Sequence, residues 1–197
     1  MNKERSTIKI LCKEELSHNW AKLDKVKYEY LLNDGSLQIH EREVYNRGDG
    51  AVILLYNKEK GTVVLTKQLR IPTWFNGNKD GMMIEACAGK IDINHNSPED
   101  CIRKETEEET GYTLSKVTKI MEVYMSPGSV TEKIYFYIAV YSDSMKTGSG
   151  GGAVNEQENI EVLEMPFDKA YSMIALGGIV DAKTIILLQY AKLERLL

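Results

Sequence analysis

Cysteine and histidine are too sparse in this chain to build a soft-metal site. Of 197 residues, three are cysteine and three histidine. Cys12, Cys87 and Cys101 are odd in number, widely spaced and without a CxxC pair, which argues against a disulfide framework and against a zinc ribbon. His18, His40 and His95 are equally scattered, so any metal here is expected to be a hard one held by oxygen ligands. The run of about eighteen apolar residues that a membrane span needs is missing. The opening stretch, "MNKERSTIKILCKEELSHNW", lacks the apolar core and small-residue cleavage site of a secretory signal. The expected compartment is therefore the cytoplasm. An excess of positive charge is missing too. The net charge of −4 argues against an overall basic footprint for nucleic acid, although a local basic pocket remains compatible with it.

What is present reads as a soluble globular chain. Hydrophobic residues make up 43% and charged residues 27%, both ordinary proportions, and the length suits one domain with an added arm. "VKYEYLL" and "LQIHEREVY" alternate in polarity around the turn "NDGS", which predicts a hairpin within residues 25–47. "AVILLYN" (51–57) and "TVVLTKQLR" (62–70) read as buried strands, and "MMIEACAG" (82–89) as one short strand. Further strands are expected near 116–124 and 133–141. "TGSGGGAVNEQEN" (147–159) reads as a flexible loop by composition. In the tail, Asp168 is expected to begin a helix that stops at Gly177-Gly178, and Asp181 to cap a last one. Strands followed by segregated helices define a mixed α/β or α+β fold.

"KETEEETGY" carries the chemistry. Ser97 is a good N-cap, Pro98 suits the first helical position, Glu99 and Asp100 suit the positive end of the dipole, and Gly111 suits the left-handed stop. A helix is thus predicted over 98–110. On it, Glu105 and Glu109 lie on one face with Glu108 beside them, while Glu107 points away. A like-charged i,i+4 pair costs roughly 0.2–0.5 kcal/mol, which an exposed face tolerates. Cys101 and Ile102 bracket the same face one turn earlier, so the carboxylates share the side that should point inward. Buried and unpaired, each would cost several kcal/mol. Two readings stand at this point: a solvated acidic helix paired with Arg103 and Lys104, or a carboxylate face that holds Mg²⁺ or Mn²⁺.

The frame around this helix, "AGKIDINHNSPEDCIRKETEEETGY" (88–112), resembles the Nudix box, through Gly89, Glu105, Glu108, Glu109, Gly111 and Tyr112. Three features depart from it. Lys104 stands where the box has arginine, the spacing from Gly89 to the helix is one residue longer, and the loop glutamate is replaced by Asn96 or His95. "REVYNRGDGAVILLYN", "QLRIPTWFNGN", "YMSPGSVTEK", "ENIEVLE" and "DAKTIILLQY" extend the resemblance over nearly the whole chain, towards the GDP-mannose pyrophosphatase branch of the Nudix hydrolases, close to the ADP-ribose pyrophosphatases.

The resemblance implies an α/β/α sandwich with a mixed sheet (residues 47–197). It also implies an amino-terminal antiparallel β arm (1–46) that exchanges between the subunits of a homodimer. The implied reaction is Mg²⁺-dependent hydrolysis of a nucleoside diphosphate sugar, GDP-mannose first, with ADP-ribose or a broader set of nucleotide sugars as the alternative. A nucleotide-sugar sensor without turnover is the non-enzyme alternative. Neither nucleic acid nor membrane is an implied partner.

By the same resemblance, Glu105, Glu109, Glu158 and the backbone carbonyl of Ala88 are the expected metal ligands. Glu108 is an outer-sphere or additional ligand. Glu158 also orients or deprotonates water, and Glu105, Glu109 and Glu158 form the catalytic set. Substrate contacts are expected from Trp20, Glu41, Arg42, Glu43, Arg70, Ala88, Glu132, Gln157, Glu158 and Lys183. Each has a plainer reading: Arg70 as a surface ion pair, Trp20 as an anchor for the arm, "EREVY" as a charged edge strand.

Overall fold

The computed structural model describes residues 7–91, 97–153 and 158–197. His95, Asn96 and Gln157 lie outside the described residues. The chain forms two compact units, one of residues 1–49 with 124–133, the other of residues 50–123 with 134–197.

In the first unit, β1 (Ile8–His18), β2 (Lys22–Leu31) and β3 (Leu37–Asn46) make an antiparallel three-stranded sheet. The predicted hairpin is β2–β3, with Leu31 opposite Leu37 across the turn. Asp34 closes that turn by accepting from the Ser36 backbone N–H at 2.9 Å, the local bond that favours Asp in turns. β1 lies within the implied amino-terminal β arm, but the residue pattern alone does not announce it. Its pairing slips between Ile10 and Cys12 and again between Glu15 and Ser17. Each slip shifts the alternation of faces by one residue, so no period of two survives to be read.

The second unit is built on β4 (Gly50–Asn57) and β5 (Thr62–Leu69). They are followed by a short helix α1 (Ile71–Phe75) and the strands β6 (Met82–Glu85) and β7 (Cys87–Lys90). Next come helix α2 (Pro98–Thr110), strands β8 (Thr118–Tyr124), β9 (Lys133–Val140) and β10 (Glu161–Pro166), and helices α3 (Phe167–Ala175) and α4 (Ala182–Leu193). The sheet order is β10-β5-β4-β9-β8, with β6 paired to β5 and β7 to β4. β4 and β9 run parallel, whereas β4–β5, β5–β6, β4–β7 and β5–β10 are antiparallel, so the sheet is mixed.

The expected single strand over 82–89 is two strands broken at Ala86. β6 continues along β5 and β7 crosses to β4. Ala86 itself leaves the ladder and donates its N–H to Thr184 Oγ1 at 2.7 Å.

β4 is buried along its whole length, as a central strand covered on both faces must be. Ala51, Ile53 and Leu55 join Ile102, Cys87, Tyr112, Tyr137 and Tyr141 in one core cluster. Val52 and Leu54, pointing to the other face, are also fully buried. α2 and α4 both pack on β4, which gives the α/β/α sandwich. Each such aliphatic side chain contributes about 1.5–3 kcal/mol by leaving water.

Both helices follow their punctuation. Ser97 accepts from the Asp100 N–H at 3.1 Å, and Gly111 stops α2 in the left-handed region at φ 78°. Asp181 accepts from the Thr184 N–H at 2.9 Å and caps α4. Among the described residues no helix is long and apolar enough to cross a membrane.

Candidate active site

α2 sorts its acids by face. Cys101, Ile102, Thr106, Glu109 and Thr110 are buried. Glu109 is 1% exposed, Glu105 and Glu108 are half-buried, and Glu107 is exposed. The outer side carries ordinary surface pairs: Arg103 with Glu99, and Lys104 Nζ with Glu108 Oε2 at 3.0 Å. The paired, solvated acids lie outside, and Glu109 lies inside.

Glu109 meets β7. The Ala88 N–H donates to its Oε2 at 3.3 Å. Burial pushes the Glu109 carboxyl up to about 8. The neighbouring Glu105 and Glu158 charges push the same way, while hydrogen bonds from the Cys87 thiol and the Ala88 amide oppose them. The Cys87 thiol is itself held well above its usual range, by burial first and by the Glu109 charge next.

Glu105 lies against Gly89. A Cβ on that glycine would stand 2.1 Å from Glu105 Cδ and 2.3 Å from its Oε1. The bare Cα at 89 is therefore the seat of the Glu105 carboxylate. Gly89→Ala is expected to displace that side chain and weaken Mn²⁺ binding about ten- to a hundredfold, with an unchanged circular-dichroism spectrum. Calorimetric titration of the folded variant measures it, and wild-type affinity would refute the seating.

Glu158 approaches from the segment after the glycine loop. Its Oε2 accepts the Ala153 N–H at 3.1 Å. The Glu105 and Glu158 carboxylates therefore both act on that of Glu109. These are oxygen donors of the kind that hold Mg²⁺ or Mn²⁺, and a divalent cation would offset the burial and, after it, the crowding that raise Glu109. The donor set fits such an ion. Among the described residues no three His, Cys, Asp or Glu side chains are already gathered into a metal cluster. The Glu109 and Glu158 oxygens are instead turned onto backbone N–H groups.

Across the break at Ala86, at the end of β6, stands Glu85, a residue that sequence reasoning missed. It is 3% exposed. Arg70 Nε donates to its Oε2 at 2.6 Å, and Lys183 Nζ lies 3.3 Å from its Oε1. Lys183 also contacts Asp181 Oδ1 at 2.6 Å. One buried carboxylate thus brings two of the expected substrate-binding cations together, and the Asp181 cap holds the second. Thr184 links this pair to the carboxylates: its hydroxyl donates to Asp181 Oδ2 at 2.7 Å and accepts from the Ala86 N–H, two residues before Ala88. A glutamate ending an apolar strand was the only signal of Glu85, and it gains meaning only once Arg70 and Lys183 meet there.

The remaining expected contacts belong to the first unit. Trp20 is 67% exposed, with the Arg47 guanidinium 5.6 Å from its ring centre. Glu41, Arg42 and Glu43 lie exposed on β3, where Glu41 pairs with Lys25 at 3.0 Å and Arg42 bonds the Glu41 carbonyl at 2.7 Å. Glu132 Oε1 lies 2.9 Å from Arg47 Nε, an ion pair in which the N–H is not aimed at the oxygen.

Residues 46–187 match the NUDIX domain and residues 7–45 match the GDP-mannose pyrophosphatase NudK N-terminal domain. The chain belongs to the Nudix family. Among its relatives is a GDP-mannose pyrophosphatase of Klebsiella pneumoniae, 54% identical over 182 residues, covering 92% of this chain and 90% of the relative. Another is a GDP-mannose pyrophosphatase of Escherichia coli, 52% identical, covering 92% and 93%. A crystal structure of an ADP compounds hydrolase superposes with a TM-score of 0.71 over 98% of both chains at 17% identity, which shows the shared fold.

Proposed function

We propose that this protein hydrolyses the diphosphate linkage of GDP-mannose to GMP and mannose 1-phosphate, with Mg²⁺ as cofactor and Mn²⁺ as a substitute. The observation that carries the chemistry is the buried Glu109 carboxyl crowded by Glu105 and Glu158. The choice of sugar nucleotide rests on relatives at 52–54% identity that are named for that substrate.

Glu105, Glu109, Glu158 and the Ala88 carbonyl would hold the ion. A bound divalent cation supplies charge neutralisation of the diphosphate and acidifies water. Glu158 accepts a proton from the water whose oxygen forms the new bond to phosphorus as the bond from that phosphorus to the bridging oxygen breaks. Arg70 and Lys183 bind the diphosphate, with Arg70 offering its terminal nitrogens while Nε stays on Glu85. Glu85 and Asp181 hold both cations in place before substrate arrives, so little ordering is needed at binding.

In the same reading, residues 1–46 form the dimerisation arm, with 47–197 as the catalytic domain, and two copies exchange their amino-terminal sheets. Trp20 stacks on the base. Glu41, Arg42 and Glu43 contact the nucleotide, and Glu132 the sugar end.

A hydrolysis panel of GDP-mannose, ADP-ribose and GDP-glucose, with products identified in ¹⁸O-labelled water, tests the proposal. GDP-mannose is expected to be the best substrate, yielding one labelled phosphate product. Equal or faster cleavage of ADP-ribose would reject the substrate choice. Intact nucleotide sugar after prolonged incubation with Mg²⁺ would reject the enzyme.

A further inference from the structure

The described part of the glycine loop, residues 147–153, forms a backbone clamp on the end of α2. The last carbonyls of a helix have no partner within it. Here the Gly151 N–H donates to the Glu109 carbonyl at 2.9 Å and the Gly152 N–H to the Glu108 carbonyl at 3.0 Å. One turn on, the N–H groups of Thr147 and Gly148 donate to the Gly111 carbonyl at 2.8 and 3.1 Å. On the outgoing side, the Ile160 N–H donates to the Gly151 carbonyl at 3.1 Å.

The glycines are required by closeness. Gly150, Gly151 and Gly152 all have positive φ, at 68°, 109° and 87°. A Cβ on Gly150 would stand 2.5 Å from the Glu109 carbonyl oxygen and 2.6 Å from the Thr110 carbonyl carbon. Both obstacles are backbone and cannot rotate away. A Cβ on Gly152 would stand 2.6 Å from both Cβ and Oε2 of Glu158. The next amide, of Ala153, holds that same Oε2. One face of the loop is thus locked to the residue that carries the Glu109 side chain, and the other seats the Glu158 carboxylate.

We propose that Gly150 and Gly152 are positioning residues: they fix the spacing between Glu109 and Glu158, and so set the affinity of the site for a divalent cation. This rests on the reading of Glu105, Glu109 and Glu158 as the cation site. The clamp also explains why acids are tolerated at the negative end of a helix, since the incoming amide N–H groups offset the exposed carbonyl dipoles there.

The test compares Gly150→Ala with Gly61→Ala in the full chain. Gly61 has a similar φ of 64° but nothing within 4 Å of an added Cβ. Both variants carry the left-handed strain, and only Gly150→Ala breaks the clamp. In calorimetric Mn²⁺ titrations without substrate, Gly150→Ala is expected to bind at least about tenfold more weakly than wild type, and Gly61→Ala to match wild type. Equal affinity of wild type and Gly150→Ala overturns the proposal. If Gly150→Ala does not fold, amide hydrogen exchange of wild type decides. Slow exchange at Gly151 and Gly152 supports the clamp, and exchange at the rate of an unstructured peptide overturns it. Glu109→Gln in the same titration isolates the premise: wild-type affinity there removes the cation site itself and the proposal with it, whatever Gly150→Ala does.

Discussion

Glu109→Gln is expected to lower turnover of GDP-mannose by about two to three orders of magnitude, the range seen when one preorganised electrostatic group is removed from a reaction centre. Glutamine keeps the volume of the side chain and an oxygen for the Ala88 N–H, so the 1%-exposed site remains filled and bonded. What is lost is one charge from the donor set. Glu107→Gln two residues away, on the exposed side of the same helix, is expected to leave turnover within about twofold, as ordinary surface changes do. Steady-state rates at saturating Mg²⁺ for the pair, beside circular dichroism of each, provide the check. A Glu109→Gln enzyme with near-normal rates and unchanged metal dependence would remove Glu109 from the chemistry.

The contrast between Glu107 and Glu109 also shows what a sequence exposes to reading. α2 was legible to the residue because its start and stop are chemical: Ser97 and Pro98 at one end, Gly111 at the other. The facing of its acids followed from a period of 3.6 residues. β4 and the Asp181 cap were legible for similar local reasons. What escaped is set by long-range contact. β1 was hidden by two bulges. β10 was hidden because its six residues reveal a strand only through their pairing with Thr62–Lys67 of β5. α1, five residues opened by Ile71 and Pro72, is too short to show a period.

Among the residues the structure brings together, Arg70, Glu109 and Lys183 were named from the sequence, and Glu85 was not. Its role arises where β6, the end of β5 and the start of α4 converge, and no spacing in the chain encodes that meeting. The close backbone contacts of the glycine loop were hidden for a different reason. Glycine permits mobility and close backbone approach alike, and only the Glu109 and Thr110 backbone lying against Gly150 decides between them.

The same buried carboxyl predicts how stability depends on pH when metal is withheld. Below pH 4.5 Glu109 is protonated in the folded and the unfolded chain alike, and contributes no slope. Between 4.5 and about 8 the folded protein holds a proton that the unfolded chain has released. Folding then becomes less favourable as pH rises, by about 1.4 kcal/mol per unit at most, and levels off above the folded value. Other carboxylates titrate in the acid range too, so the informative quantity is the difference between wild type and Glu109→Gln, which lacks the proton. In chelator, wild type is expected to lose several kcal/mol relative to the variant from pH 5 to pH 8. Adding Mg²⁺ at pH 8 is expected to restore wild type and leave the variant nearly unmoved, because the cation takes over from the proton and binds only the folded site. Denaturant unfolding at pH 5, 6.5 and 8, with and without Mg²⁺, reads all of this. Parallel pH profiles for the two proteins in chelator would mean that Glu109 is solvated in the metal-free state, and that its burial does not drive the site to seek a cation.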